Sequence, residues 1–139
     1  MPTPGAKAVV DRFLALQREM YAGGDLEAVA ELLAEDVVWH VPGTSPIAGD
    51  HRGRGAVIEY FRARRELAGG TMEIVKRDEL HDHEVVVQLA DGRSPALGEW
   101  RTAGVYRVAD GKLAEAWLVP LDLEHFDAVW SGQGRRAST

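Results

Sequence analysis

Tyr106-Arg107-Val108-Ala109-Asp110-Gly111-Lys112-Leu113-Ala114-Glu115-Ala116-Trp117 reads as two strands joined by a tight turn. Apolar and aromatic residues flank Asp110-Gly111, and an Asp-Gly pair in that setting supplies the positive φ angles that a two-residue hairpin needs. Upstream of it, Thr71 to Arg77, Glu84 to Ala90 and Glu99 to Val108 are candidate strands. Leu113 to Val119 is the hairpin's second arm, and Asp91-Gly92 is read as another turn.

The first half of the chain has a different period. Val10, Phe13, Leu14, Gln17, Met20 and Tyr21 fall on one stripe at helical spacing, which predicts a helix over about 6–22 ended by Gly23-Gly24. Asp25 is placed to cap a second, shorter helix that buries Leu26, Val29, Leu32 and Leu33. Val37 to Val41 reads as a strand, and 43–53 as a loop. A helix over about 55–68 turns Val57, Ile58 and Phe61 inward and its arginines mostly outward. Asp122 opens a final short helix carrying Leu123, Phe126, Val129 and Trp130, with a tail over about 132–139. Helices gathered early and strands gathered late predict one α+β domain over 1–139, a curved antiparallel sheet with helices packed around a pocket.

Composition narrows the function classes. The 139 residues are 45% hydrophobic and 27% charged, ordinary for a globular domain, with a formal net charge of -6. That charge disfavours a nucleic-acid partner, which requires a basic face. The absence of cysteine removes disulfides, thiolate catalysis and cysteine-ligated zinc. Met1-Pro2-Thr3-Pro4-Gly5 lacks a basic and an apolar signal region, and no apolar run approaches bilayer length, so no membrane partner is expected and the location expected is cytoplasmic.

Two stretches carry a family resemblance. One is Val38-Trp39-His40-Val41-Pro42-Gly43 continuing through Ile47-Ala48-Gly49-Asp50-His51-Arg52-Gly53; the other is the hairpin from Tyr106 to Trp117 running on to Asp122. Together with the order of elements, they resemble the SnoaL-like branch of the nuclear transport factor 2-like superfamily, which includes ketosteroid isomerase and polyketide cyclases. The resemblance implies a cone-shaped fold, a hydrophobic pocket, small-molecule acid–base chemistry without metal or other cofactor, and a homodimer formed through the sheet. It further implies a cyclase, isomerase or dehydratase acting on a small hydrophobic carbonyl compound. A non-catalytic binding protein and a scaffold with a self-filled cleft are the alternatives.

The candidate residues each have two readings. His40 falls where the resemblance puts the isomerase's base, and imidazole exchanges protons near neutrality; otherwise it is a half-buried strand histidine. Gln17 falls near the oxyanion donor, or lies solvated at the stripe's edge. Asp122 matches an acid–base carboxylate of some cyclases, or simply caps the last helix. Arg52, in the expected loop at the pocket mouth, is a candidate anion clamp or part of a solvated turn. Phe13, Trp39, Ile58, Phe61, Trp100, Tyr106 and Trp117 are candidate pocket walls, Gly104 leaving room beside the aromatics, or else core and interface residues. His81 and His83 superficially suggest a metal, but spacing offers no third ligand and no metal site is assigned.

Overall fold

The computed structural model describes residues 5–132, so the part of the expected tail beyond Gly132 lies outside the described residues. The helix α1 spans Ala6–Tyr21, and a 3-10 helix follows over Leu26–Leu32, capped by the Asp25 carboxylate, which accepts from Glu27 N at 2.9 Å. The expected second helix is therefore 3-10 in form. Its greater rise per residue lets seven residues bridge the gap from the Gly23-Gly24 turn to a strand that begins at Leu33.

Strand β1 covers Leu33–Val41 and β2 Gly49–Arg52; helix α2 covers Arg54–Leu67. The strands β3 (Glu73–His81), β4 (Val85–Ser94), β5 (Gly98–Ala109) and β6 (Lys112–Pro120) follow, and α3 (Leu123–Trp130) closes the chain. The sheet order is β2-β1-β6-β5-β4-β3, a curved and unclosed sheet. All neighbours are antiparallel except β1 and β6, which run parallel, so the sheet is mixed rather than purely antiparallel. Register shifts in β1, β3 and the β5–β6 pair supply the irregularities that bend such sheets.

Asp110 and Gly111 have φ of 52° and 74°, and Ala109 pairs with Lys112, as the hairpin signal predicts. Asp91-Gly92, by contrast, lies inside β4 opposite Arg101 and Trp100. The glycine there answers a packing need, because a Cβ at Gly92 would run into the Trp100 indole. The 43–53 loop likewise contains β2, whose hairpin with β1 pairs His40 with Asp50.

The inner face of the sheet meets α1 and α2 in one aromatic core. Phe13 lies 5.6 Å from Trp39, 6.0 Å from Phe61 and 6.0 Å from Tyr106 between ring centroids, and Trp39 meets Phe61 edge-on at 5.1 Å. Each such pair adds roughly 0.5–1.5 kcal/mol beyond area burial. The centre of the cone is thus filled, and the open space lies to one side. Leu123 of α3 stays 43% exposed, while Phe126, Val129 and Trp130 are buried.

Candidate functional site

The open space is a cleft of about 1420 Å³ between α1 and strands β3–β4. Met72 N donates to Tyr21 O at 3.0 Å and pins the end of α1 to the start of β3; at the other end, Lys7 Nζ pairs with Glu79 at 3.0 Å. Leu14, Met72, Ile74 and Val75 supply apolar walls. Gln17 and Gln88, 5% and 2% exposed, are buried amides among the lining residues, and the Gln88 Oε1 has no hydrogen-bond partner among the described residues. A buried amide oxygen without a donor is costly, which favours occupants that bring one.

Tyr21 lines the same cleft one helical turn after Gln17. Its hydroxyl accepts from Arg64 Nη1 at 3.2 Å, leaving the phenolic proton free to be donated. Burial raises the Tyr21 pKa and nearby Arg64 pulls it back, so the phenol is a proton-bearing donor at neutral pH. Arg64 itself is only 3% exposed, with its guanidinium 5.4, 5.5 and 5.1 Å from the rings of Tyr21, Tyr60 and Trp130. Cation–π contacts of up to about 2 kcal/mol each when desolvated offset part of the several kcal/mol that burying a charge costs. Val57, Tyr60, Phe61 and Arg64 follow i, i+3, i+4, i+7 spacing, which turns this arginine inward rather than outward as the composition of the helix suggests.

His40 sits on the opposite face of the sheet, away from the cleft. Strand alternation sends Trp39 into the core and His40 outward, where it stacks on Trp117 at 5.4 Å. Its Nδ1 lies 2.8 Å from Asp50 and its Nε2 2.6 Å from Glu115, which also meets Arg107 at 3.4 Å. Partial burial works against the charged ring, but the two carboxylates outweigh it and raise the His40 pKa. The His40 ring in turn holds both Asp50 and Glu115 below the usual carboxylate range. Both ring nitrogens face carboxylates, an arrangement that favours the charged, bridging form of the imidazole.

The structure disperses the remaining candidates. Phe13, Trp39, Ile58, Phe61 and Tyr106 are core residues packed on one another rather than walls of an open pocket. The room beside Gly104 is taken by the Tyr106 phenol, 2.8 Å from where a Cβ would stand. Burial pushes that phenol up to about 12. Trp100 packs on Trp130 at 4.9 Å, and Trp117 lies on the outer face with His40. Arg52 is an exposed β2 residue 3.6 Å from Asp50. Asp122 caps α3, accepting from His125 N at 3.0 Å. No group of three or more potential metal ligands occurs among the described residues. Of the expected catalytic residues, Gln17 alone lines the cleft, where Tyr21 and Gln88 join it and Arg64 bonds to Tyr21; the sequence carries no motif that marks these three for chemistry. The helical spacing that marks Gln17 also marks Tyr21 and Arg64.

A family model described as the SnoaL-like domain matches residues 10–116. The chain belongs to the SnoaL-like family. This SnoaL-like chain is 30% identical over 113 residues to an uncharacterized protein of Mycobacterium tuberculosis (strain ATCC 25618 / H37Rv), covering 76% of the chain and 86% of the relative. It is similar to Bal32a from a soil-derived mobile gene cassette, with a TM-score of 0.79 and 26% identity over 89% of this chain and 95% of that one. A candidate polyketide cyclase from Sinorhizobium meliloti shares the fold at a TM-score of 0.67, with 17% identity over 80% of this chain and 93% of that one. The family is therefore SnoaL-like, and the fold is one shared with polyketide-cyclase-like structures. No helix among the described residues is long and apolar enough to cross a membrane.

Proposed function

We propose that this SnoaL-like protein binds a small hydrophobic carbonyl compound in the cleft between α1 and β3–β4 and catalyses its cyclisation, isomerisation or dehydration by proton transfer. The observation that carries the reading is Tyr21: the residue lines the cleft, and its hydroxyl accepts a hydrogen bond from buried Arg64. A phenol so polarised donates more strongly to an oxygen on which negative charge develops, as an enolate forms. Gln17, one turn away, adds an amide donor to the same oxygen. Glu73 and Glu99 pair across Arg93 in a row on the face of the sheet that carries Val87 and Val105, so the proton that leaves the carbon passes to water in the open cleft. His40 has no part in this scheme, since it faces the other side of the sheet.

Exchange of α-protons of 2-cyclohexenone in deuterated water, followed by NMR, tests the reading. Exchange above the buffer rate, reduced about 10²-fold or more in Tyr21→Phe, supports an enolising site. Binding without exchange supports the second reading, a non-catalytic carrier of the same ligand class, and absence of binding removes both. We also propose that a second copy of the chain covers the outer face of the sheet, where Leu80, Val87, Val105 and Trp117 form one cross-strand row running on to His40.

A further inference from the structure

The cleft is bordered by four cations, Lys7, Arg18, Lys76 and Arg93. Three of them are already engaged: Lys7 with Asp11 and Glu79 at 3.0 Å each, Lys76 with Glu79 at 3.6 Å, and Arg93 with Glu73 at 2.8 Å. Arg18 alone has no carboxylate at ion-pair distance among the described residues. The helix explains why. On α1 the positions three and four residues away from Arg18 are Leu14, Ala15, Tyr21 and Ala22, none of them acidic. The acids of the lining are occupied elsewhere, Asp11 by Lys7, while Glu73 and Glu99 flank Arg93 in their cross-strand row.

Arg18 also has room. Asp11, Ala15, Arg18 and Ala22 recur at helical spacing along the side of α1 that borders the cleft, and Ala15 and Ala22 put no bulk on either side of the arginine. Arg18 is exposed, whereas its neighbours Gln17 and Tyr21 line the same cleft as buried residues. A carbonyl that meets Gln17 and Tyr21 therefore lies within one helical turn of an open, unpaired guanidinium. One carboxylate matches that fork in charge and geometry, whereas a phosphate dianion would keep a second charge without a cation. We propose that Arg18 is an anion-recognition residue at the mouth of the cleft, and that the ligand is a keto acid whose carboxylate pairs with Arg18 while its carbonyl meets Gln17 and Tyr21. The proposal rests on the cleft being the ligand site and names the class of compound it takes.

Acetophenone and 4-acetylbenzoate serve as probes, since they share the ketone and only the second carries a carboxylate. In calorimetric titrations, 4-acetylbenzoate should bind the wild-type protein about 10-fold more tightly than it binds Arg18→Gln, the low end for hydrogen bonds to a charged group because the mouth is open to water. Acetophenone should bind the two proteins alike. Raising salt to about 0.5 M should remove most of the difference for 4-acetylbenzoate and leave acetophenone unchanged, because exposed charges are screened. Arg18→Lys should retain part of the preference. Equal affinity of 4-acetylbenzoate for wild type and Arg18→Gln, or a parallel loss of both probes in that variant, overturns the proposal. Acetophenone binding without any gain from the carboxylate overturns the anion site while leaving the cleft reading in place. Failure of both probes to bind the wild-type protein counts against both.

Discussion

Arg64 Nη1 donates to the Tyr21 hydroxyl at 3.2 Å, joining the last turn of α2 to the last residue of α1 across 43 positions of sequence. The contact fixes the side chain of a residue that lines the cleft. The guanidinium also lies in the final turn of α2, where the helix dipole favours a cation.

Tyr21→Phe should keep the ring packing and leave a buried Arg64 donor without its acceptor. Stability should fall by about 1–3 kcal/mol, the cost of an unsatisfied buried group, as measured by urea denaturation. Ketone binding should weaken in the same variant, whereas a purely structural hydroxyl would leave ligand affinity unchanged.

Gln88→Met should behave in the opposite way. The Gln88 oxygen already lacks a partner, so replacing the amide with an apolar side chain of similar length should cost under about 1.5 kcal/mol, or stabilise. A stability loss well above that, with ligand binding unaffected, would show that the amide serves packing and not the cleft.

The His40 bridge predicts a pH window. Its raised pKa contributes stability that is present below the ordinary histidine value near 6.5 and is lost as pH rises through the folded value. The lowered Asp50 and Glu115 contribute stability present above their ordinary values near 4 and lost as pH falls through their folded values. The bridge is therefore strongest from about pH 4.5 to 6.5. His40→Gln should flatten the stability profile there and leave α-proton exchange intact. An NMR titration placing His40 at or below about 6.5 would contradict the bridge.

The outer face gives an oligomerisation prediction. Val119 is 45% exposed and pairs with Ala103, whose other neighbour, Leu89, is 39% exposed. The wild-type chain should sediment as a dimer, and Val119→Asp should shift it to monomer without loss of secondary structure. A wild-type monomer at high micromolar concentration would remove the proposed self-association.

Much of the architecture is legible in the sequence because local rules and the global fold agree. The Asp110-Gly111 turn, the α1 stripe and the Asp122 cap each rest on interactions within a few residues. The errors arise where distant packing decides. Gly92 reads as a turn residue, yet it is glycine because Trp100 lies across it. Alternation correctly puts His40 opposite Trp39, but which side faces the helices depends on Trp39 meeting Phe13 and Phe61. Arg64 reads as solvated because arginine usually is, and only the i+7 relation to Val57 signals otherwise. Gln17 was legible as a polar break in an apolar stripe, a pattern that survives folding because the helix sets it alone.

The central claim is that the α1–β3–β4 cleft is the ligand site. A ¹H–¹⁵N NMR titration with acetophenone tests it most directly, reading every backbone and side-chain amide at once. The account predicts the largest shifts at the Gln17 and Gln88 side-chain amides and at the backbone of Tyr21 and Met72, with His40, Glu115 and Trp117 unmoved. Shifts concentrated on the outer face around His40, with Gln17 and Gln88 silent, would contradict it.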